Sequence, residues 1–349
     1  MQINAKKIGK VTVKRTPPAN LQQNDSFLFE GEMVKTFKSP KVFLKKNVYV
    51  KKSKLIKFKH FRYLSNHWRM SNFWIKHKIK FFLEDLLSFL KGLNKKNNDI
   101  EIIEKASWVL DQKSWKYMHF YSDVLQRIEL IKDFLEEFPI IVSNNYPNYK
   151  YTIDTLDILS IPYKIIDKDK LHLIKNLLIA SHVAPAGNYN EKIINSVSKK
   201  IRASNPSSKI IPTKKFWISR KNAQMRNVIN YEDVNVVLEK FNYEILYLEE
   251  MSTNKQIKVL NQAMVIAGLQ GAGLNNILFM QEKSNLLEVR DRSDNMNNCY
   301  FSLASALNIN FYYSYADTID PGNFHSSDYV IDIDSLEKVL EKIETRLKT

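Results

Sequence analysis

The chain has 349 residues, which suits two domains of roughly 150 to 200 residues better than one small module. It is 44% hydrophobic and 26% charged, so it holds enough apolar surface for large cores and is not a disordered polyelectrolyte. A single cysteine, Cys299, excludes a disulfide framework and a cysteine-built zinc site. The formal net charge of +16 is unevenly placed: Lys and Arg outnumber Asp and Glu by 23 to 6 over residues 1–100, and stand at 30 to 31 over the remainder. That asymmetry predicts an anionic partner for the first hundred residues, whether a membrane surface, a nucleic acid or an acidic polymer. Met1 to Lys14 is polar, so no secretory leader is expected there. The most apolar window, 264–280, is interrupted by Gln270, Asn275, Asn276 and three glycines, so no membrane span is expected either.

Residues 1–30, with the Pro17-Pro18 pair and little periodicity, read as a loose arm. Residues 34–58 alternate and are β-rich, which predicts a hairpin with Lys46-Asn47 near its turn. Over 61–93, Trp68, Phe73, Trp74, Ile79, Phe82, Leu86 and Leu93 recur at helical spacing between Arg and Lys residues. That basic amphipathic segment is either a core-facing helix with a solvated face or a helix lying on anionic lipid. From about residue 101 the texture becomes α/β. A short apolar run at Trp108 is followed by a long amphipathic helix from Met118 to Phe138. Strands then begin at Pro139, Tyr163 and Asn176, with a helix from Tyr151 to Leu159. Pro185, Gly187, Pro206 and Pro212 place a domain boundary within 181–213.

The second half alternates more cleanly. Strands are predicted at Phe216–Ile218, Glu244–Leu248, Met264–Ala267, Leu286–Val289 and Ile309–Tyr313. Between them lie helices opened by capping boxes at Asn230 and Thr253, then helices at 274–280 and about 297–307, and a final helix capped by Asp334. Alternating βα units of this length predict a parallel sheet with helices on both faces and a ligand site at the carboxyl ends of the strands. The predicted domains are a basic portion over 1–100, a first α/β domain over 101–200 that takes in that portion, a second over 201–333, and a terminal helix over 334–349.

Four constellations carry chemistry. Gly268-Leu-Gln270-Gly271-Ala272-Gly273-Leu-Asn275-Asn276 follows a strand and holds three of the eight glycines; it is either a phosphate cradle or a tight packing turn. Ser219-Arg220-Lys221, with Arg226 close behind, sits between a strand and a helix, as a diphosphate site or as solvated loop charge. Glu288 is read as ending a buried strand at the same edge, either accepting from a ribose diol or simply exposed. His119 and Asp123 lie four apart on one helix face, as a general base with its orienting carboxylate or as a structural hydrogen bond.

Taken in order, Ile218-Ser219-Arg220, Arg226, Asn230, Gln256, Gly268 to Asn276 and Glu288, preceded by Tyr117-Met118-His119-Phe120 and Asp123, resemble the family 61 glycosyltransferases. Gln270 stands where that family usually has His, and Lys255 where an acidic residue often precedes the Gln. The resemblance implies a GT-B-like α/β fold of two Rossmann-like domains facing each other across a cleft, with the C-terminal helix crossing back to the first. It implies an inverting transferase of the bacterial capsule or lipopolysaccharide type, moving a sugar from a nucleotide-sugar to a glycan or lipid-linked glycan. Donor and diphosphate contacts would come from Ser219, Arg220, Lys221, Arg226, Gln270, Gly271, Ala272, Gly273 and Asn275. Glu288 would lie near the ribose, and His119 or Asp123 would deprotonate the acceptor.

No cofactor and no metal site are expected. The setting implied is cytoplasmic, at the inner face of the plasma membrane, with residues 61–93 on anionic lipid; nucleic acid is not an expected partner. Two alternatives stand beside it. One is a processive transferase that builds capsule polymer. The other is a non-catalytic protein whose basic portion grips nucleic acid or an anionic surface.

Overall fold

The computed structural model describes residues 9–51, 54–57, 62–63, 100–111, 113–205, 211–292, 294, 297–320 and 326–348. The basic amphipathic segment read over 61–93 lies outside the described residues except for Arg62 and Tyr63. The chain divides into two units, one formed by residues 1–8 and 40–183, the other by 9–39 and 184–349. Both are mixed α/β units whose central strands run parallel.

The first unit is built on a seven-stranded sheet. Its strands in chain order are β3 (Val42–Lys51), β4 (Lys54–Lys57), β5 (Arg62–Tyr63), β6 (Glu101–Trp108), β7 (Ile140–Ser143), β8 (Tyr163–Ile166) and β9 (His172–Ala180). Their spatial order is β5-β4-β3-β9-β6-β7-β8. β7 is buried at every residue, and the last four residues of β9 are buried, as a central parallel strand covered on both faces requires. β6, β7, β8 and β9 are parallel, while β3, β4 and β5 extend the sheet antiparallel. The expected turn at Lys46-Asn47 does not form. β3 runs through it with unbroken register against β9, Asn47 taking φ +53°, and pairs with β4 only beyond Val48.

Between β6 and β7 the expected long helix is a composite, α2, over 117–130. It starts α-helical at Tyr117–His119, widens into a π-helical turn at Phe120–Val124, and returns to α at Leu125–Leu130. Helix α3 (Lys150–Ile158) joins β7 to β8.

In the second unit, β10 (Lys214–Ile218), β11 (Glu244–Leu246), β12 (Ala263–Leu269), β13 (Asn285–Asp291), β14 (Asn310–Thr318) and β15 (Tyr329–Ile331) form a sheet of order β11-β10-β12-β13-β14-β15. All pairings are parallel except the edge strand β15, which the sequence reading missed because three residues give no periodicity. The helices are α4 (Glu191–Ala203), α5 (Tyr231–Lys240), α6 (Thr253–Leu260), α7 (Cys299–Ala306) and α8 (Ile333–Leu347), with a 3₁₀ helix at Ala272–Phe279 where an α-helix was expected.

Capping differs from expectation. Ser252, not Thr253, caps α6 by accepting from the Lys255 amide, and Asp332, not Asp334, caps α8 by accepting from the Ser335 amide. Asn230 spends its amide on the carbonyl and N–H of Ile331, tying α5 to β15.

Three boundaries also differ. Residues 9–39 are not a loose arm attached to the first domain. They form β1 (Lys10–Lys14), α1 (Ser26–Met33) and β2 (Val34–Lys38), with β1 and β2 paired antiparallel, and belong to the second unit. The apolar residues of α1 explain why. Phe29 is fully buried against Phe301, Phe311 and Tyr313, and the side chain of Asn20 exchanges hydrogen bonds with the Tyr313 backbone. Helix α4 also belongs to the second unit, so the division falls at residues 183–184 and not near 200. Finally, α8 completes the second unit's own core. Leu336, Val339, Leu340 and Ile343 form one helical stripe buried with Trp217, Val234, Leu238 and Tyr312. Truncating Leu340, which is fully buried there, to alanine is expected to cost about 2–5 kcal/mol in chemical denaturation of the full chain. A loss below about 1 kcal/mol would show that α8 is not part of this core.

Candidate functional site

In the second unit, β10 connects to β11 on one side, and the chain then returns to β12 on the other side of β10. The strand order reverses between β10 and β12, so their carboxyl ends flank an uncovered crevice, where open α/β sheets bind ligands. The two loops leaving those ends carry Ser219-Arg220-Lys221 and Gln270-Gly271. The sequence-predicted cations and the glycine turn therefore meet.

Arg220 is half-buried and bends back over its own loop. Its Nε donates to the Arg226 carbonyl at 2.8 Å and Nη2 to the Met225 carbonyl at 2.8 Å. Arg226 takes the left-handed conformation (φ +61°), uncommon for a non-glycine residue, and its Nη1 donates to the Gln270 carbonyl at 3.1 Å. Burial and the neighbouring Arg226 push the Arg220 guanidinium down to about 10. The Arg226 Nε is buried with no hydrogen-bond partner among the described residues.

The ion pairs of this unit go elsewhere: Lys215 to Glu344, Lys240 to Glu337, Arg292 to Asp332. Among the described residues, none reaches Arg220, Lys221 or Arg226. Two like charges held together, with a buried donor that makes no hydrogen bond, leave this edge electropositive.

The glycines are required by space. A Cβ on Gly271 would displace the Arg220 guanidinium from its present place, and one on Gly273 would sit 2.9 Å from the Ile218 side chain. Gly273 thus lets the turn pack on β10, while Gly271 leaves room for the guanidinium. The packing reading of the turn fits Gly273. Of the rest, Ser219 is buried and its Oγ accepts from the Lys221 amide, Lys221 and Ala272 are exposed, and Asn275 is fully buried in the 3₁₀ helix. Beside Arg220 opens a cavity of about 290 Å³ lined among others by Trp217, Lys221, Asn227, Tyr231 and Glu232, at the small end of the usual range for ligand sites. Of these, Trp217, Asn227, Tyr231 and Glu232 were not singled out in the sequence. They are scattered over β10, the loop that follows it and α5, and only the fold gathers them.

Glu288 does not end its strand. β13 continues to Asp291, and Glu288 is fully buried opposite Gly268 and Tyr313. Neither of its carboxylate oxygens has a hydrogen-bond partner among the described residues. Gln270, on the turn above, gives its Nε2 to the Asn297 carbonyl at 3.3 Å. Burial pushes the Glu288 carboxyl up to about 7, against the pull of the Arg290 charge and of the Gln270 amide.

The first unit repeats the topological logic. β6 leads to β7 on one side, and β9 returns on the other side of β6, so the order reverses between β6 and β9. Asp111 follows β6, His182 follows β9, and they meet with His182 Nε2 at 2.9 Å from Asp111 Oδ2. Helix α2 adds the predicted pair: His119 Nδ1 lies 2.7 Å from Asp123 Oδ2. Arg127, fully buried one turn on, donates Nε and Nη2 to the Ala180 carbonyl at the end of β9, and its Nη1 stands 3.8 Å from Asp111.

Burial alone would raise the Asp111 carboxyl. The His182 and Lys113-amide hydrogen bonds, with the Arg127 charge, hold it instead well below the usual carboxylate range. The Arg127 guanidinium is pushed down to about 10 by burial, against Asp111 and Asp123. Asp123 lies inside the π-helical turn, an irregularity found frequently at functional sites. Asp111 and His182 went unnoticed in the sequence because they stand 71 positions apart, and no local spacing joins them. Among the described residues, no group of three or more His, Cys, Asp or Glu side chains is arranged to hold a metal ion.

An α/β protein with charged clusters at two sheet edges is the architecture of enzymes that bring two substrates together, though such edges also serve simple binding. The family model described as Glycosyltransferase 61 matches residues 117–287, so the chain is similar to that family over this stretch. The match takes in His119, Asp123, Arg220, Arg226 and the glycine turn, and stops one residue short of Glu288. Among curated proteins none matches the chain.

The Glu288 carboxyl gives the site a pH signature. Between its ordinary value of 4.5 and about 7, the unfolded chain ionises Glu288 while the folded chain keeps the proton. The folded state therefore binds more protons in that window, and its stability falls as pH rises through it, by up to about 3 kcal/mol. Glu288→Gln is expected to remove that decline, so that thermal unfolding favours the variant over wild type more at pH 8 than at pH 4. The same difference at both pH values would show that the buried carboxyl is not held neutral.

Proposed function

We propose that this protein is an inverting, GT-B-type glycosyltransferase whose second unit holds a nucleotide-sugar and whose first unit holds the acceptor. One observation carries the reading: Arg220 and Arg226 crowd together at the β10/β12 edge with no ion pair to a carboxylate among the described residues, beside a turn whose glycine leaves room for a guanidinium. A diphosphate answers that need, because its oxygens accept from guanidinium forks and carry the missing charge. Ser219, Lys221, Gln270, Ala272, Gly273 and Asn275 shape the same edge, and the nucleoside lies in the cavity beside Trp217 and Tyr231. Glu288 is within reach of a ribose hydroxyl only if Gln270 and the turn give way.

The reaction is a single displacement. The acceptor hydroxyl oxygen forms a bond to the anomeric carbon as the bond from that carbon to the diphosphate oxygen breaks, and the leaving electron pair stays on the diphosphate. Arg220 and Arg226 stabilise that developing charge, work done in other enzymes by a metal ion. The acceptor proton goes to His119 Nε2, since a His119 Nδ1–H donated to Asp123 leaves Nε2 with its lone pair outward. No obligatory metal enters this scheme. The bacterial setting is surface polysaccharide synthesis on the cytoplasmic side of the plasma membrane, with the basic residues 61–93 holding the enzyme to anionic lipid.

Thermal unfolding in the presence of UDP, GDP, CMP and their sugar conjugates tests the donor site, because a ligand that binds only the folded state raises the apparent stability. One nucleotide is expected to raise the melting temperature, and Arg220→Ala to abolish that rise while the free variant still unfolds cooperatively. An unaltered rise in the variant would remove Arg220 from the diphosphate. Asp123→Asn is expected to lower kcat by about 10²-fold or more while the donor KM holds, in assays run with and without EDTA. Full turnover in the variant would dismiss the pair as base and orienter, and turnover lost to EDTA and restored by a divalent ion would overturn the metal-free scheme.

A further inference from the structure

Trp115 stands midway in sequence between Asp111 and His119, four residues from each, and is 40% exposed. An exposed tryptophan on a loop gains little by staying in place, yet this one is fixed from several sides. Tyr149, just past the end of β7, stacks on it with ring centroids 5.4 Å apart and planes 29° from parallel. The Tyr151 hydroxyl donates to the Trp115 carbonyl. Its loop is a tight turn: the Lys116 amide donates to the Lys113 carbonyl at 2.9 Å, and the fully buried Ser114 accepts the Asp111 amide at 2.7 Å.

Behind Trp115 the rings continue inward. Tyr117 packs edge-on to Tyr151 at 4.9 Å and against Tyr121 at 4.8 Å, and Phe120 closes on Tyr121 at 5.5 Å. The shelf is thus anchored in the same helix turn that carries His119 and Asp123. Lys116 Nζ stands 5.5 Å from the centroid of the Trp115 ring, and exposed Lys113 and Lys150 flank the two stacked residues in sequence.

We infer that the Trp115–Tyr149 shelf is a binding subsite for a sugar ring of an acidic glycan, seated one residue outward from the acceptor hydroxyl that His119 faces. The inference rests on the transferase reading, because it takes this ligand to be the acceptor. A pyranose presents a patch of polarised C–H groups on one face and hydroxyls around its rim. An aromatic face with its negative quadrupole buries the first and leaves the second in water. Rigid aromatics do this at little entropic cost, and the hydrogen bond and stacking on Trp115 have fixed its position before any ligand arrives. Lys116, whose ammonium lies over the Trp115 ring, selects for a carboxylate or phosphate substituent on the sugar, by an attraction that salt screens.

The test is titration calorimetry of the full-length protein with oligogalacturonate, with a phosphate-linked hexose oligomer and with neutral maltotetraose. The same samples are assayed for the nucleotide-induced thermal shift. Wild type is expected to bind at least one acidic oligomer, and Trp115→Ala and Tyr149→Ala to weaken it about tenfold or more. Trp115→Phe is expected to restore part of that affinity, and Lys116→Gln to lower the acidic affinity and its salt dependence. The circular dichroism and the nucleotide shift are expected to stay those of wild type.

Equal affinity in Trp115→Ala and wild type overturns the inference, as does a wild type that binds none of the oligomers at millimolar concentration. Equal affinity for maltotetraose and the acidic oligomers overturns the role of Lys116. A nucleotide shift without glycan binding rejects the shelf and leaves the donor site standing. Glycan binding without any nucleotide shift does the reverse.

Discussion

In a parallel sheet, right-handed crossovers send the connection to one face when the chain steps one way and to the other face when it steps the other way. At the point where the stepping direction reverses, two neighbouring carboxyl ends release their loops to opposite faces, and no helix can cover the gap between them. Each unit of this protein has one such point, β6/β9 in the first and β10/β12 in the second. The chemically loaded residues collect there: Asp111 and His182 in one, Arg220 and Gly271 in the other.

The two edges are charged in opposite manners, and that difference separates structure from ligand. Arg127 in the first unit is buried completely and donates Nε and Nη2 to a backbone carbonyl at the end of β9, while its Nη1 makes no hydrogen bond among the described residues but faces the Asp111 carboxylate at 3.8 Å. It reads as an internal tie that fixes α2 over the sheet and helps to hold Asp111 ionised. Among the described residues, Arg220 and Arg226 donate to backbone carbonyls and form no ion pair, with Glu249 acting on Arg220 only at longer range. A half-buried pair of cations so arranged is costly in the empty protein. The left-handed backbone at Arg226 adds to that cost, and such concentrations of strain and unbalanced charge belong to binding sites more than to scaffolding.

The second half of the chain was legible because its chemistry is local. Ser219 to Arg226 and Gly268 to Asn276 each fall on one strand-to-helix connection, so spacing alone places them at a sheet edge. Helical spacing also sufficed for His119 and Asp123, although the π-helical turn between them has no sequence signature that periodicity detects. What was misplaced depended on distant contacts. Residues 9–39 look like a tail because their partners, Phe301, Phe311 and Tyr313, lie almost three hundred positions away. The stripe on α8 predicts that the helix packs on something, and it is equally consistent with either unit; only contact with Trp217 and Tyr312 decides. Glu288 was read as a strand end because Arg290 and Asp291 look like surface residues. Both are buried, Arg290 with Asn298 and the Asp294 carbonyl as partners.

The burial of Glu288 bears on the anion edge above it. Gly268, opposite Glu288 in the sheet, stands two residues before Gln270 and three before Gly271. An ionised carboxylate at that depth would oppose an anion arriving at Arg220 and Arg226, through a medium that screens it poorly. A neutral one does not. Burial, outweighing the nearby Arg290 and Gln270, keeps the Glu288 proton on up to about pH 7, so the carboxyl adds little negative field at the crevice. An anion bound there raises the energy of the ionised carboxylate further, so occupancy of the edge and protonation of Glu288 favour one another. Replacing this glutamate by an exposed or paired carboxylate would keep the residue's charge formula and lose that property, because the neutrality is supplied by the β13 environment and not by the side chain itself.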